Sequence, residues 1–433
     1  MTSQASAGGA PSFKVAAMAS AGAAVEWYDF FIYGTAAALV FPRLFFPPEL
    51  PVFVAQIAAF STFAVGFVAR PIGGLVFGHI GDRHGRKHAL VLAMMMMGVA
   101  TMLIGLLPGY ASVGVLAPLM LVVLRFLQGL AVGGQWGGAA LLAIESAPAN
   151  RQGFYGSFVQ VGVPLGVVLA NTVFLIVSAL VAGDAFLAWG WRIGFLLSIG
   201  LIVIGFIIHR RVAEPEAEQG SPAAAPADRA PPLLRVFREH GRRVLLAGGA
   251  FVANNVCFYI AITYSVAYGT ANIGIARDVL LAAVMVGSLA MVPTLIACGA
   301  LSDRFGRRGI FMLGALLSGL WAFAVFPLID TGSPLLVTVA IAVQLVFVSF
   351  MYGPQAALFA ELFPRELRYS GASLGYQIGT VAGGGLAPII ATALFEEYRS
   401  SLPIALYLAA MCAVSLVSVV FLSAHREEGR VHA

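Results

Sequence analysis

The sequence predicts an all-α membrane protein of twelve transmembrane helices in two six-helix halves. Three observations predict it. Of 433 residues, 60% are hydrophobic and 10% are charged, far from the balance of a soluble domain. The apolar residues form long runs at 15–42, 51–79, 88–108, 113–143, 153–182, 190–209, 243–270, 279–300, 309–328, 335–360, 370–395 and 402–423. Each is long enough to cross a bilayer, which takes roughly 20 residues, and the longer ones suggest tilt or protruding ends. Finally, one loop is written twice: Gly78-His79-Ile80-Gly81-Asp82-Arg83-His84-Gly85-Arg86-Lys87 recurs as Gly299-Ala300-Leu301-Ser302-Asp303-Arg304-Phe305-Gly306-Arg307-Arg308. Both copies read G-x-x-x-D-R-x-G-R-[K/R].

The doubling extends beyond that loop. Counting on from Arg151 and from Arg368, each half has Gln, Gly and Gly at the same offsets: Gln160, Gly162 and Gly166, then Gln377, Gly379 and Gly383. Parallel repeats of this kind build carriers with a central site and two exits. The domains are therefore 1–211, a central loop 212–242, and 243–433.

The first run follows a polar stretch, Met1 to Ser12. It is too long for the apolar region of a cleaved signal and reads as an uncleaved anchor. It carries Glu26 and Asp29. The second run carries Arg70 and ends in the first doubled loop; the third leads to the fourth, which carries Arg125 and the glycine series from Gly133 to Gly138. Such a series weakens helix propensity and makes that helix bendable. The fifth run holds Gln160 and the sixth ends in His209-Arg210-Arg211. The central loop starts Pro/Ala/Glu-rich and flexible, and Leu233 to Arg238 predict a short amphipathic helix on the membrane surface. Runs seven to twelve repeat the plan, with Gly371, Gly375, Gly379 and Gly383 spaced for close helix packing in the eleventh.

Of the 25 Lys and Arg residues, Arg43, Arg192, Arg277 and Arg399 fall on one side and Arg70 and Arg125 inside the bilayer; the others share the opposite side. The positive-inside rule makes that side cytoplasmic, with both termini inside. The net charge of +5 reflects this topology and not nucleic-acid binding. Cys257, Cys298 and Cys412 sit singly in apolar runs, with no metal or redox spacing. No catalytic constellation or sensory domain appears, so the chain reads as a carrier and not as an enzyme or receptor. No cofactor is expected beyond a proton gradient, and no metal.

Charges within the bilayer are candidates for function. Glu26 and Asp29 share a helix face. Asp29 lies ~21 Å and Arg70 ~18 Å from the basic side, depths at which they can meet, with Arg125 further out. A carboxylate whose distance to a cation changes can load and release a proton; the alternative is a static lock between helices. Candidates for lining a cavity are Arg125, Tyr28, Gln135, Trp136, Gln160, Asn255, Tyr259 and Gln377. Gln160 and Gln377, related by the repeat, stand ~14 Å from the basic ends of their helices. The doubled loops suit a gate, since Asp at a helix end can bind an Arg or a helix N-terminus. Its candidates are Asp82, Arg83 and Arg86 in one copy and Asp303, Arg304 and Arg307 in the other, with Glu145 and Glu361.

The doubled motif resembles the hallmark of the major facilitator superfamily, and Arg125-Phe-Leu-Gln128-Gly129 is similar to its R-x-x-Q-G signature, associated with proton coupling. A narrower resemblance is to the metabolite:proton symporters, carried by Glu26-Trp27-Tyr28-Asp29-Phe30-Phe31, Ala69-Arg70-Pro71-Ile72-Gly73-Gly74, Gly133 to Ala139, Gly190-Trp191-Arg192-Ile193 and Glu361 to Arg368. Leu141 to Pro148 looks most like the shikimate branch. Where that family has Glu, this chain has Gln135. The resemblance implies a monomeric symporter of a bacterial inner (cytoplasmic) membrane that imports a small organic anion with protons by alternating access. Asp29, Glu26, Arg125 and Arg70 would then serve coupling. Two rivals share the fold: an importer of zwitterionic solutes of the proline/betaine type and a proton-antiport exporter.

Overall fold

In a computed structural model, twelve long helices among the described residues follow the twelve apolar runs. It gives residues 13–84, 86–133, 147–148, 150–181, 183–211, 232–362 and 368–431. For 13–19, 21–22, 26, 78, 81–84, 86–87, 90, 201, 204–211, 232–240, 368–373 and 423–431 the backbone alone is described. The helices are α1 (Phe13–Leu39), α2 (Val52–His84), α3 (Arg86–Leu106), α4 (Leu116–Gly133), α5 (Gln152–Leu180), α6 (Arg192–Arg211), α7 (Pro232–Tyr259), α8 (Arg277–Phe305), α9 (Arg307–Asp330), α10 (Pro334–Leu362), α11 (Arg368–Thr380) and α12 (Leu402–Val431). Among the described residues, 9 segments are long and apolar enough to cross a membrane. Leu233 to Arg238 form no separate surface helix: they are the first turns of α7.

α7 and α11 change pitch. α7 continues through wider turns at Ile260–Tyr264 and Gly269–Ile273, and α11 through Val381–Gly385 into Ala387–Tyr398. Wide turns release backbone groups from the regular ladder and often mark functional segments. Prolines 71, 164, 293, 327 and 354 lie inside α2, α5, α8, α9 and α10, which neighbouring helices tolerate in membranes. α8 and α9 are joined by Gly306 alone, at φ 90°. Any side chain there would be strained, so this glycine of the doubled loop is fixed by geometry.

The repeated glycines pack each half against itself. A Cβ on Gly162 or Gly166 would meet α1 at Ala23 or Trp27, and one on Gly375 or Gly379 would meet α7 at Ala247 or Gly248. Between the halves, α5 runs along α8 and α10, and α2 along α11. All three cysteines are free and buried, and Cys257 of α7 and Cys412 of α12 face each other, Sγ to Sγ 3.7 Å. They come from distant runs, so spacing in sequence could not pair them.

Candidate substrate and coupling site

The centre of the first half is built where α2 and α4 cross. A Cβ on Gly73 would fall 1.9 Å from the Leu130 carbonyl oxygen, one on Gly133 1.9 Å from that of Arg70, and one on Gly129 2.2 Å from that of Gly66. Backbone therefore lies on backbone, and the two long arginines are carried inward from the crossing. Gly73→Ala would force the helices apart. The expected result is a loss of about 1–3 kcal/mol or more of stability, read as a lower melting temperature of the detergent-purified protein.

Arg125 enters this crossing beside Gly66, where a Cβ would sit 2.5 Å from its Nε. Its guanidinium carbon stands 4.2 Å from the Phe30 ring centre, 4.2 Å from Tyr33 and 4.7 Å from Phe63. Nη1 donates to Gln128 Oε1 at 3.1 Å, and Gln128 Nε2 donates to Thr101 Oγ1 at 2.7 Å. The R-x-x-Q-G stretch thus has three separable jobs: Arg125 supplies charge, Gln128 one turn on aims it, and Gly129 admits α2. Nη2 has no hydrogen-bond partner.

Arg70 shares the same aromatic ring. Its guanidinium carbon is 4.4 Å from the Phe30 centre, 4.6 Å from Phe67 and 5.4 Å from Trp27. From the second half, Tyr259 of α7 and Tyr376 of α11 come beside it. Phe67 and Tyr259 meet edge to face at 5.1 Å, and α11 fits over them because a Cβ on Gly384 would clash with both. Arg70 Nε and Nη2 lack hydrogen-bond partners. Both arginines are almost fully buried.

Ring faces offset part of the cost of burying these cations, up to about 2 kcal/mol per desolvated contact. They cannot satisfy the planar N–H donors, and each buried donor left unmade costs about 1–3 kcal/mol. Among the described residues neither arginine forms an ion pair. The box is electropositive, rich in aromatic surface and short of acceptors, so its complement is an anion with two or more oxygens.

Asp29 does not join this box, contrary to the contact expected from its depth. It is buried with Ser198 of α6 as its neighbour, and Oδ1 is without a partner. Tyr28 turns the same way, donating from its hydroxyl to the Gly194 carbonyl at 2.7 Å, so it does not line the arginine box either. The reason is rotation: neighbouring residues on a helix point about 100° apart, and Phe30 holds the face toward the arginines. Glu26 lies on the α1 backbone, and its side chain is outside the described residues.

Of the other candidates, Tyr259 stands in the box. Gln160 and Gln377 are buried, and both Gln160 side-chain atoms and Gln377 Oε1 lack partners. Such amides are set to accept polar company. Asn255 instead donates to the Phe251 carbonyl of its own helix at 3.3 Å. Gln135 and Trp136 lie outside the described residues. Sequence reading missed the walls, Phe30, Phe63 and Phe67, because aromatics in a membrane run look like lipid-facing or packing residues. It also missed Gln128, although the motif that holds it was visible.

The second doubled loop spans the halves. Asp303 accepts hydrogen bonds from the backbone N–H groups of Gly153 (2.8 Å) and Phe154 (2.9 Å) at the start of α5. Helix N-termini favour a carboxylate. Arg307 lies 3.6 Å from Asp303, pairs with Glu361 and donates to Gln152 Oε1 at 3.2 Å. The close approach of Gly153 to Gly299 lets the two helices touch there. Arg304 is exposed. For Asp82, Arg83 and Arg86 the side chains, and for Glu145 the whole residue, are outside the described set.

A model of the Major Facilitator Superfamily matches residues 19–374 and, separately, 272–432. The chain is 41% identical over 94% of its length to the inner membrane metabolite transport protein YhjE of Escherichia coli, and covers 93% of it. It is 41% identical to the shikimate transporter of the same organism (93% of this chain, 92% of that one) and 33% identical to the proline/betaine transporter of Salmonella typhimurium (94% and 82%). The fold is that of the xylose transporter XylE from E. coli in a partially occluded inward-open conformation: TM-score 0.71 at 17% identity, covering 95% of this chain and 96% of that one. The chain is a multi-pass membrane transporter and belongs to the Major Facilitator Superfamily, among the metabolite carriers that the shikimate and proline/betaine transporters represent.

Proposed function

We propose that the protein imports a small organic acid together with protons by alternating access, as a monomer in a bacterial inner membrane, its basic side and both termini in the cytoplasm. The observation that carries the reading is the pair of buried guanidiniums on Phe30, with three N–H-bearing nitrogens unpartnered and no carboxylate paired to them among the described residues. Arg presents a planar fork that matches a carboxylate. Tyr259, Gln160 and Gln377 would hold the rest of the substrate; Gln135 and Trp136 remain proposals from sequence. Asp29 and Glu26 would carry the proton, and the Asp303–Arg307–Glu361 set, with its repeat-related Asp82, Arg83, Arg86 and Glu145, would gate the cytoplasmic side.

A zwitterion importer is the second reading, favoured by a buried carboxylate and by aromatic rings that suit a quaternary ammonium. Here, however, the arginines already occupy those rings. A proton-antiport exporter is the third. The test is uptake of labelled shikimate, aromatic acids, di- and tricarboxylates and betaine into proteoliposomes under an inward proton gradient. Accumulation of one acid, abolished by a protonophore, supports the reading. Accumulation of betaine alone establishes the second reading, and no accumulation of any compound by verified vesicles refutes the first.

A further inference from the structure

α8 touches α5 through an acid at each of its ends, Asp278 in its first turn and Asp303 in its last. They lie 25 residues apart, or ~38 Å along the helix, so the two contacts sit at opposite faces of the molecule. At the end away from the doubled loops, Ser178 Oγ of α5 lies 3.1 Å from Asp278 Oδ1 and divides its one proton between that carboxylate and the Leu175 carbonyl of its own helix, also at 3.1 Å. Beside it, the Arg277 guanidinium carbon lies 4.1 Å from the ring centre of Phe186, a first-half residue that is fully buried. Arg277 is also 3.5 Å from Asp278. Between the two ends the seam stays closed, with Thr172 on Met285.

We propose that Asp278, with Arg277, is a second latch of the transport cycle, acting on Ser178 and Phe186 and weaker than the Asp303 latch at the other end. The inequality follows from the bonds. Asp303 accepts two backbone N–H groups of one helix start and is nearly buried with Arg307, at 7% and 11% side-chain exposure. Asp278 competes with the Leu175 carbonyl for one hydroxyl proton and is 62% exposed, where water screens the contact. With both latches made, the seam is shut at both faces; it releases first at the Asp278 end. Under the orientation proposed above, that is the outside, the side from which an importer loads. An acid in the first turn also stabilises its own helix, but that role needs no Ser178.

Spin-label distances test this in full-length protein in nanodiscs, because the native cysteines are buried. One pair, Leu180→Cys with Leu335→Cys, reports the Asp278 end; the other, Arg151→Cys with Phe305→Cys, reports the Asp303 end. The substrate-free protein is expected to show a longer second population in the first pair and a single short distance in the second. Ser178→Ala and Asp278→Ala each raise the long-to-short ratio of the first pair about fivefold and leave the second unchanged. Asp303→Asn lengthens the second pair. The proposal is overturned if Ser178→Ala leaves the first pair unchanged, or if the wild type opens more at the Asp303 end. Neither result depends on which compound is carried.

Discussion

Replacing Arg125 with Gln is expected to abolish substrate uptake while the protein still folds and reaches the membrane. Gln keeps a hydrogen-bonding head but removes the charge and the fork that Gln128 and Phe63 aim. Truncating one partner of a buried, hydrogen-bonded charge pair costs about 2–5 kcal/mol, which weakens substrate binding roughly 30- to several thousand-fold. Arg125→Lys should rescue little. An ammonium cannot donate to Gln128 and a substrate carboxylate in one plane, nor lie flat on Phe30 and Tyr33. Substrate binding by calorimetry, with uptake rates alongside, reads both variants. Near-normal binding in Arg125→Gln would remove this residue from the site.

The second large effect concerns Asp29→Asn. The amide matches the carboxyl in size but cannot exchange a proton. We expect gradient-driven accumulation to fall to background while substrate-for-substrate exchange continues, because exchange needs no net proton movement. Asp29 is buried between α1 and α6 with no cation in ion-pair reach among the described residues. An ionised group there has nothing to offset its desolvation, worth several kcal/mol, and a bound proton removes that cost. Ser198 and the Tyr28–Gly194 bond lie on the same seam, so loading and release are expected to move α1 against α6. Equal loss of exchange and accumulation would instead make Asp29 a structural residue.

The sequence carried the helices, their number and the doubled loop, because each depends on local patterning. Apolar runs of fixed length become helices, and the role of Gly306 follows from a turn one residue long. It placed Arg70 and Arg125 inside their helices but not the direction of Asp29. Position along a helix follows from counting, whereas rotation about the axis depends on which residue wins the buried face, and that was Phe30. The aromatic walls, the Cys257–Cys412 contact and the Ser178–Asp278 bond were not legible for a related reason. Each joins residues on different helices whose neighbours only tertiary packing fixes. Arg192 is an instructive middle case: its motif was visible, and the structure shows its Nη1 donating to the Gly105 and Leu107 carbonyls at the end of α3.

Organic acid and proton are proposed to enter together. The most direct measurement is the external pH of a lightly buffered suspension of proteoliposomes, held at zero initial gradient, when the transported acid is added. The expected result is a rise in external pH that tracks uptake, vanishes with protonophore and is absent in Asp29→Asn. Uptake with no pH change, or a fall in external pH, would contradict it.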